Sequence, residues 1–212
     1  MNAHIVIARY NESLEWIDKC LTPIQKRSVW IYNKGDDEIS VVGVPSNQIQ
    51  RLPNVGREAH TYLTHVLRHW DKLPSQLWFL QGNPFDHLEI NSDFDTVQKW
   101  FRIWTNKIYL NGFSPNMCRE FPLNKHETSA GELTDMPFGT WLEKYTGKMY
   151  RPPLTWYIGA CFGCSRAQVQ HRTREYYESL LEQLQTKSPE AAWYMERAWM
   201  YIFNTEALMR EA

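Results

Sequence analysis

No window of the 212-residue chain approaches the roughly 18 to 20 consecutive apolar residues that a membrane-spanning helix needs, so a membrane span is not expected. Cysteine is sparse: four residues in a chain of this size, without secretory features, suit reduced thiols rather than a disulfide framework. The N-terminus opens directly in strand-like sequence, which predicts no signal peptide, and the expected location is the cytoplasm. Charge of one sign is also missing. The formal net charge is −1, which argues against a nucleic-acid partner. There is no G-x-G-x-x-G after the first strand-like segment and no P-loop, so a dinucleotide-binding dehydrogenase and a P-loop nucleotidase are both disfavoured. Repeats, low-complexity tracts and an evident linker are lacking too, and the length fits one sizeable domain.

What is present is aromatic mass, with 10 Trp and 11 Tyr, and an alternation of strand-like and helix-like segments. His4–Ala8 is a β-branched run that breaks at once into Arg9, Tyr10, Asn11 and Glu12. Ser13–Cys20 can form a helix. Val29–Tyr32 predicts a second strand ending in Asn33-Lys34-Gly35-Asp36, and Ile39–Val44 predicts a third. Leu52–Glu58 leads into a helix in which Ala59, Tyr62, Leu63, Val66, Leu67 and Trp70 keep helical apolar spacing. Trp78-Phe79-Leu80 then runs into Gln81-Gly82-Asn83-Pro84-Phe85-Asp86-His87, an apolar strand delivering polar groups to its carboxyl end; a plain β-turn is the competing reading. Phe94–Ile108 predicts a helix, with Val97, Trp100, Phe101 and Trp104 in phase. From Tyr109 to Pro153 the periodicity dissolves, which in a compact domain points to a functional or locally ordered region. Thr155–Phe162 predicts a strand, and Ser165 caps a long helix bearing Val169, Thr173, Tyr176, Leu180 and Leu184. Pro189 opens a last helix to about Phe203. Strands alternating with helices predict an α/β fold with a mostly parallel sheet flanked by helices.

Three loops share one chemistry. Arg9-Tyr10-Asn11-Glu12, Asn33-Lys34-Gly35-Asp36 and Gly56-Arg57-Glu58 each set a cation beside amides or carboxylates at a strand end or helix start. Arg9, Lys34 and Arg57 could neutralise a diphosphate while Asn and Glu groups read a base or ribose. Solvated turns are the plainer alternative for each loop taken alone. Cys161 and Cys164 form a lone C-x-x-C that lacks a second ligand pair and reads as structural. His65 and His69, four apart on one helix, read as surface or flank histidines. Trp100 with Trp104 and Trp193 with Trp199 read as core, and Trp141, Trp156 and Tyr157 as candidates for stacking on an acceptor sugar.

In their order, Ala-Arg-Tyr-Asn-Glu after the first strand, Tyr-Asn-Lys-Gly after the second and Asn-Val-Gly-Arg-Glu-Ala opening a helix resemble the A-type (GT-A) glycosyltransferases. The likeness is to a small group of them, the N-terminal glycosyltransferase domains of chlorella-virus proteins that glycosylate the major capsid protein, and it runs from Ile5 to about Phe203. It implies a single glycosyltransferase domain, with donor binding up to about residue 90 and the acceptor side beyond. The implied donor is a nucleotide-diphosphate sugar, expected to be a UDP-sugar. A hexose or deoxyhexose would pass to a glycan hydroxyl, commonly with Mn²⁺ or Mg²⁺ at an Asp-x-Asp motif. Further domains of a longer polypeptide are compatible partners, and a viral origin would place the chain in host cytoplasm. Carried over, Arg9, Asn11, Glu12, Asn33 and Lys34 face the nucleotide, and Gly56, Arg57 and Glu58 lie near its ribose and phosphates. The Asp-x-Asp position reads Gln81-Gly82-Asn83, where amides replace carboxylates; Asp86 and His87 are the substitute metal ligands. Glu196, in phase with the apolar stripe Ala192, Met195, Trp199 and Phe203, is the expected general base, with Asp86, Asp93 and Asp135 as alternatives. A buried ion pair with Arg172 or Arg174 is its competing role. The rival functions are a nucleotidyl- or phosphotransferase and a nucleotide-sugar or glycan binding module without turnover.

Overall fold

The structure, a computed structural model, describes residues 2–86, 92–106, 118–121, 124–127, 129–147, 154–157 and 160–203; at 86, 100, 102–106, 118–121 and 154–157 it describes the backbone alone. Its centre is β1 (Ala3–Arg9), flanked in parallel by β2 (Val29–Asn33) and β4 (Gln76–Gln81). The short β3 (Ile49–Arg51) extends the sheet beyond β2. On the other side β7 (Phe162–Ser165) pairs antiparallel with β4, giving the order β3-β2-β1-β4-β7. A separate two-stranded sheet joins β5 (Cys118–Phe121) and β6 (Leu154–Tyr157). The fold is thus α/β with a mostly parallel central sheet.

Both faces of that sheet are covered, which is why the strands read as continuous apolar runs. Val6, Ala8, Tyr32, Leu77 and Phe79 face one core, shared with α3 (Arg57–Arg68), α5 (Phe138–Thr146), α7 (Arg174–Glu182) and α8 (Glu190–Ile202). Ile5, Ile7, Val29, Ile31, Trp78 and Leu80 face the other, against α1 (Glu15–Cys20) and α4 (Phe94–Asn106). The strand period of two sorts neighbouring residues onto opposite cores. Burying each of the Val, Ile, Leu and Phe side chains contributes about 1.5–3 kcal/mol. Two four-residue helices, α2 (Pro23–Lys26) and α6 (Arg166–Val169), complete the set, each begun by a capping box, Thr22 with Gln25 and Ser165 with Gln168.

Chain order fixes where a ligand can enter. The chain runs outward from β1 through β2 to β3, then returns to place β4 on the other flank of β1. Crossovers therefore leave β1 in opposite directions, and the crevice outside the carboxyl ends of β1 and β4 is a topological switch point. Arg9 ends β1 and Gln81 ends β4, with Ala8 and Gln81 in register.

Several expectations need correction. Ile39–Val44 is not a strand: Val44 N–H donates to the Val41 carbonyl in a turn with Gly43 at φ 82°, and the third strand is Ile49–Arg51. β-branched composition mimics a strand there because Val44 is buried and Ile39 and Val41 pack on the core. The helix expected from Ser165 is two, because Thr173 turns outward as the cap of α7 instead of joining an apolar face. Thr155–Phe162 contributes to two strands in different sheets. Within the supposedly irregular 109–153 region, Phe138, Trp141 and Leu142 form the buried face of α5.

Candidate functional site

A cleft of about 420 Å³ opens at the switch point. Ala8, Arg9 and Tyr10 enter it from the end of β1, Lys34 from the end of β2 and Gln81 from the end of β4. Asn54, Arg57 and Glu58 come from the approach to α3 and its first turn, and Lys187 and Ser188 from the loop before α8. Glu12 completes the lining, so four basic side chains face two acidic ones. The structure therefore brings Arg9, Glu12, Lys34, Arg57 and Glu58 of the three loops onto one lining, together with Gln81 from the Gln-Gly-Asn segment. Asn11, Asn33, Gly56 and Asn83 are not on the lining. His87 lies outside the described residues, as does the side chain of Asp86.

The cleft's cations are not equivalent. Arg9 is spent inside the fold: its guanidinium grips both oxygens of Asp37 at 2.8 Å, and donates to Asn33 Oδ1 and to the Glu12 and Tyr10 carbonyls. Asn33 in turn donates to the Asp37 carbonyl, so this pair ties the β1 and β2 loops together. Gly35 allows that closure, since a Cβ there would stand 2.1 Å from the Tyr10 carbonyl oxygen. Lys34 is buried, its ammonium donating to the Val55 carbonyl at 2.6 Å and to that of Arg57. Burial lowers its pKa to about 8, with the Glu58 carboxylate pulling the other way.

Arg57 carries strain. Its φ is 49°, a left-handed conformation rare for a side chain with a Cβ, directly after Gly56 at φ 59°. Its guanidinium lies 3.8 Å over the Trp193 ring and its Nε stands 3.6 Å from Glu58, while Nε itself has no hydrogen-bond partner. Gly56 is required by packing as well as by φ: its N–H donates to the Thr186 carbonyl at 2.7 Å, and a Cβ would sit 2.6 Å from Leu184 Cβ. That contact seats the loop that carries Lys187. The first turn of α3 has no side-chain cap, so its backbone N–H groups add to the positive field at the cleft.

The carboxylates need separate accounts. Glu12 Oε2 accepts from Tyr10 N–H at 2.7 Å and lies over Gly82, where a Cβ would be 2.6 Å away. Glycine in the Gln-Gly-Asn segment thus makes room for Glu12. Glu58 is buried and its Oε1 has no hydrogen-bond partner. Glu196 is half-buried on α8 and off the cleft lining, yet its charge, with those of Glu58 and Glu12, helps hold the buried Tyr62 phenol well above its ordinary pKa, after burial itself. Its proposed ion-pair partners are engaged elsewhere: Arg174 with Glu178 at 3.0 Å, and Arg172 with the Thr146 carbonyl at 2.9 Å. Asp93 caps α4 through Thr96, and Asp135 is exposed.

Among the described residues no three His, Cys, Asp or Glu side chains come together in a way that could hold a metal ion. Amides at 81 and 83 do not suit a hard divalent cation. Cys161 and Cys164 are free, buried thiols packed into opposite cores. His65 corrects the surface reading: it is fully buried, linked at 2.9 Å to the Tyr32 hydroxyl and at 3.0 Å to His4, and burial first, then neighbouring cations and imidazoles, keeps it neutral. Trp141 is buried in the core and donates to Gln183, so it cannot stack on an acceptor. Trp156, Tyr157, Trp100 and Trp104 have side chains outside the described residues. Trp199 is core, whereas Trp193 stands half-buried under Arg57. Lys187 and Ser188 have no signal in the sequence beyond ordinary loop composition, and Asn54, which opens the Asn-Val-Gly-Arg-Glu-Ala segment, is not among the expected site residues.

Fold and cleft together define an α/β domain with an anion-favouring crevice at a sheet switch point. No described helix is long and apolar enough to cross a membrane. Residues 5–212 match the model of the family described as "Protein of unknown function (DUF3431)", and the chain belongs to that family. No curated protein and no solved structure matches it.

Proposed function

We propose that the chain is a glycosyltransferase that moves a sugar from a nucleotide-diphosphate donor to a glycan hydroxyl. The observation that carries this reading is the convergence of Lys34, Arg57 and Lys187 on one cleft at the switch point, beside the acidic Glu12 and Glu58. A diphosphate leaving group suits that cation set. Lys34 is held in place by two carbonyls, so its ammonium is already positioned for charge that develops as the glycosyl bond breaks. Carboxylates beside them supply acceptors for sugar hydroxyls. In this reading Glu196, half-buried on α8, takes the proton of the attacking hydroxyl.

The test is turnover. Purified protein with a panel of nucleotide sugars and a glycan acceptor should release nucleoside diphosphate in step with glycosylated product. Glu196→Gln should lower the rate by roughly a hundredfold or more at saturating substrates. Release of pyrophosphate or transfer of a phosphoryl group would instead favour a nucleotidyl- or phosphotransferase. Binding without any product would reduce the chain to a binding module.

A further inference from the structure

A second cavity, of about 380 Å³, adjoins the cleft, with Arg9 and Glu12 lining both. Its inner wall is apolar: Leu14, Ile39 and Val41, all packed against the core beneath α1. Its rim is acidic, formed by Glu12, Glu15, Asp18 and Glu38. These carboxylates differ in availability. Glu15 is paired with Lys19, Asp18 with Lys26, and Glu12 accepts from the Tyr10 N–H. Among the described residues Glu38 has no hydrogen-bond or ion-pair partner. The sole basic residue on the lining is Arg9, whose guanidinium is closed on Asp37.

We infer that this cavity receives the nucleobase of the donor and selects guanine, through Glu38. The inference rests on the donor reading above, and it replaces the uridine expected from resemblance. An ionised carboxylate only accepts hydrogen bonds, so the ring edge that meets it must donate. Uracil carries one N–H between two carbonyl oxygens, so a carboxylate that accepts the N–H sets its second oxygen against a carbonyl. The Ser13 and Ser40 hydroxyls on the lining can donate to a carbonyl oxygen of uracil or guanine alike. Adenine and cytosine each carry one amine beside a ring nitrogen that is itself an acceptor. Guanine alone presents two adjacent donors, N1–H and the N2 amine, in the spacing that the two oxygens of a carboxylate accept together. The apolar wall of Leu14, Ile39 and Val41 offers contact for the ring face, while the diphosphate extends past Arg9 and Glu12 into the cationic cleft.

The experiment is calorimetric titration of the full chain with GDP, UDP, ADP and CDP at one ionic strength, repeated with Glu38→Gln. Glu38 is exposed, so the substitution should leave folding intact. GDP is expected to bind at least about tenfold more tightly than UDP, and Glu38→Gln to weaken GDP about tenfold while moving UDP less than about twofold. UDP binding as tightly as GDP, ADP or CDP binding tightest, or Glu38→Gln weakening all four alike would overturn the assignment to guanine. Failure of all four nucleotides to bind would remove the donor reading itself, and this inference with it.

Discussion

Two polar centres sit within reach of α8, and they are built on opposite rules. One is the buried Glu190 carboxylate at its N-terminus, which accepts from His126 at 3.0 Å, from Thr134 N–H and the Tyr194 hydroxyl at 2.7 Å, and from Glu127 N–H. Burial opposes its charge, but those donors outweigh it and hold the carboxyl down to about 2. Close by, Arg197 pairs with Glu127 at 2.6 Å, so two charged contacts fasten His126 and Glu127 to α8. The other centre is the cleft. There Glu58 Oε1 and Arg57 Nε lack hydrogen-bond partners, Arg57 holds a left-handed backbone, and Lys34 is buried with a lowered pKa. A saturated centre has nothing left to offer a ligand. Unmet hydrogen-bonding capacity and strain, each costing about 1–3 kcal/mol, persist where the surroundings impose them, and such sites cluster where ligands bind.

The largest effect expected on this contrast comes from Gly56→Ala. The new Cβ would meet Leu184 Cβ and its carbonyl oxygen at 2.6 and 2.7 Å, in a backbone conformation that disfavours it. Chemical denaturation should show a loss of roughly 2–4 kcal/mol. Glu190→Gln comes next. It removes the charge that its donors converge on and should cost about 2–3 kcal/mol, with nucleotide affinity of the folded fraction unchanged. Equal damage to affinity would erase the division between a structural and a binding centre. The same carboxylate predicts an acid limb. Its folded pKa is below the unfolded value, so its stabilising contribution is complete above the ordinary carboxylate pKa and disappears as pH falls towards about 2.

The smallest effect is the pH response of the cleft. Lys34 titrates lower in the fold than in the unfolded chain, so the unfolded state binds more protons between about 8 and the ordinary lysine pKa, and stability at this group rises with pH across that window. Anion binding has the opposite sign, because a diphosphate needs the ammonium. Affinity should be flat below about pH 8 and fall by up to about tenfold per unit above it, as titrations across pH 6.5 to 9.5 would show.

Much of this is legible in the sequence. β1, β2 and β4 announce themselves as apolar runs because both faces are buried, and Arg9, Lys34 and Gln81 reach one place because each sits at the carboxyl end of a parallel strand. Gly56 with Arg57 was readable as a helix start. The roles within the site were not. Nothing local in Arg9 says that Asp37, 28 residues on, consumes it. Lys187 reaches the cleft through the packing of its loop on Gly56, a long-range contact without periodicity. His65 looked peripheral because its partners, Tyr32 and His4, come from other strands. Ile39–Val44 misled for the converse reason, since apolar loop residues anchored to a core share strand composition.

The cleft's claim to a diphosphate is tested most directly by Lys34→Met, titrated with a nucleoside diphosphate sugar beside the parent chain at pH 7, with folding checked by circular dichroism. Loss of a charged contact to phosphate inside a partly desolvated cleft should weaken binding by roughly thirtyfold or more. Unchanged affinity in a folded Lys34→Met protein would contradict the account, because the one buried ammonium on the cleft would then be structural.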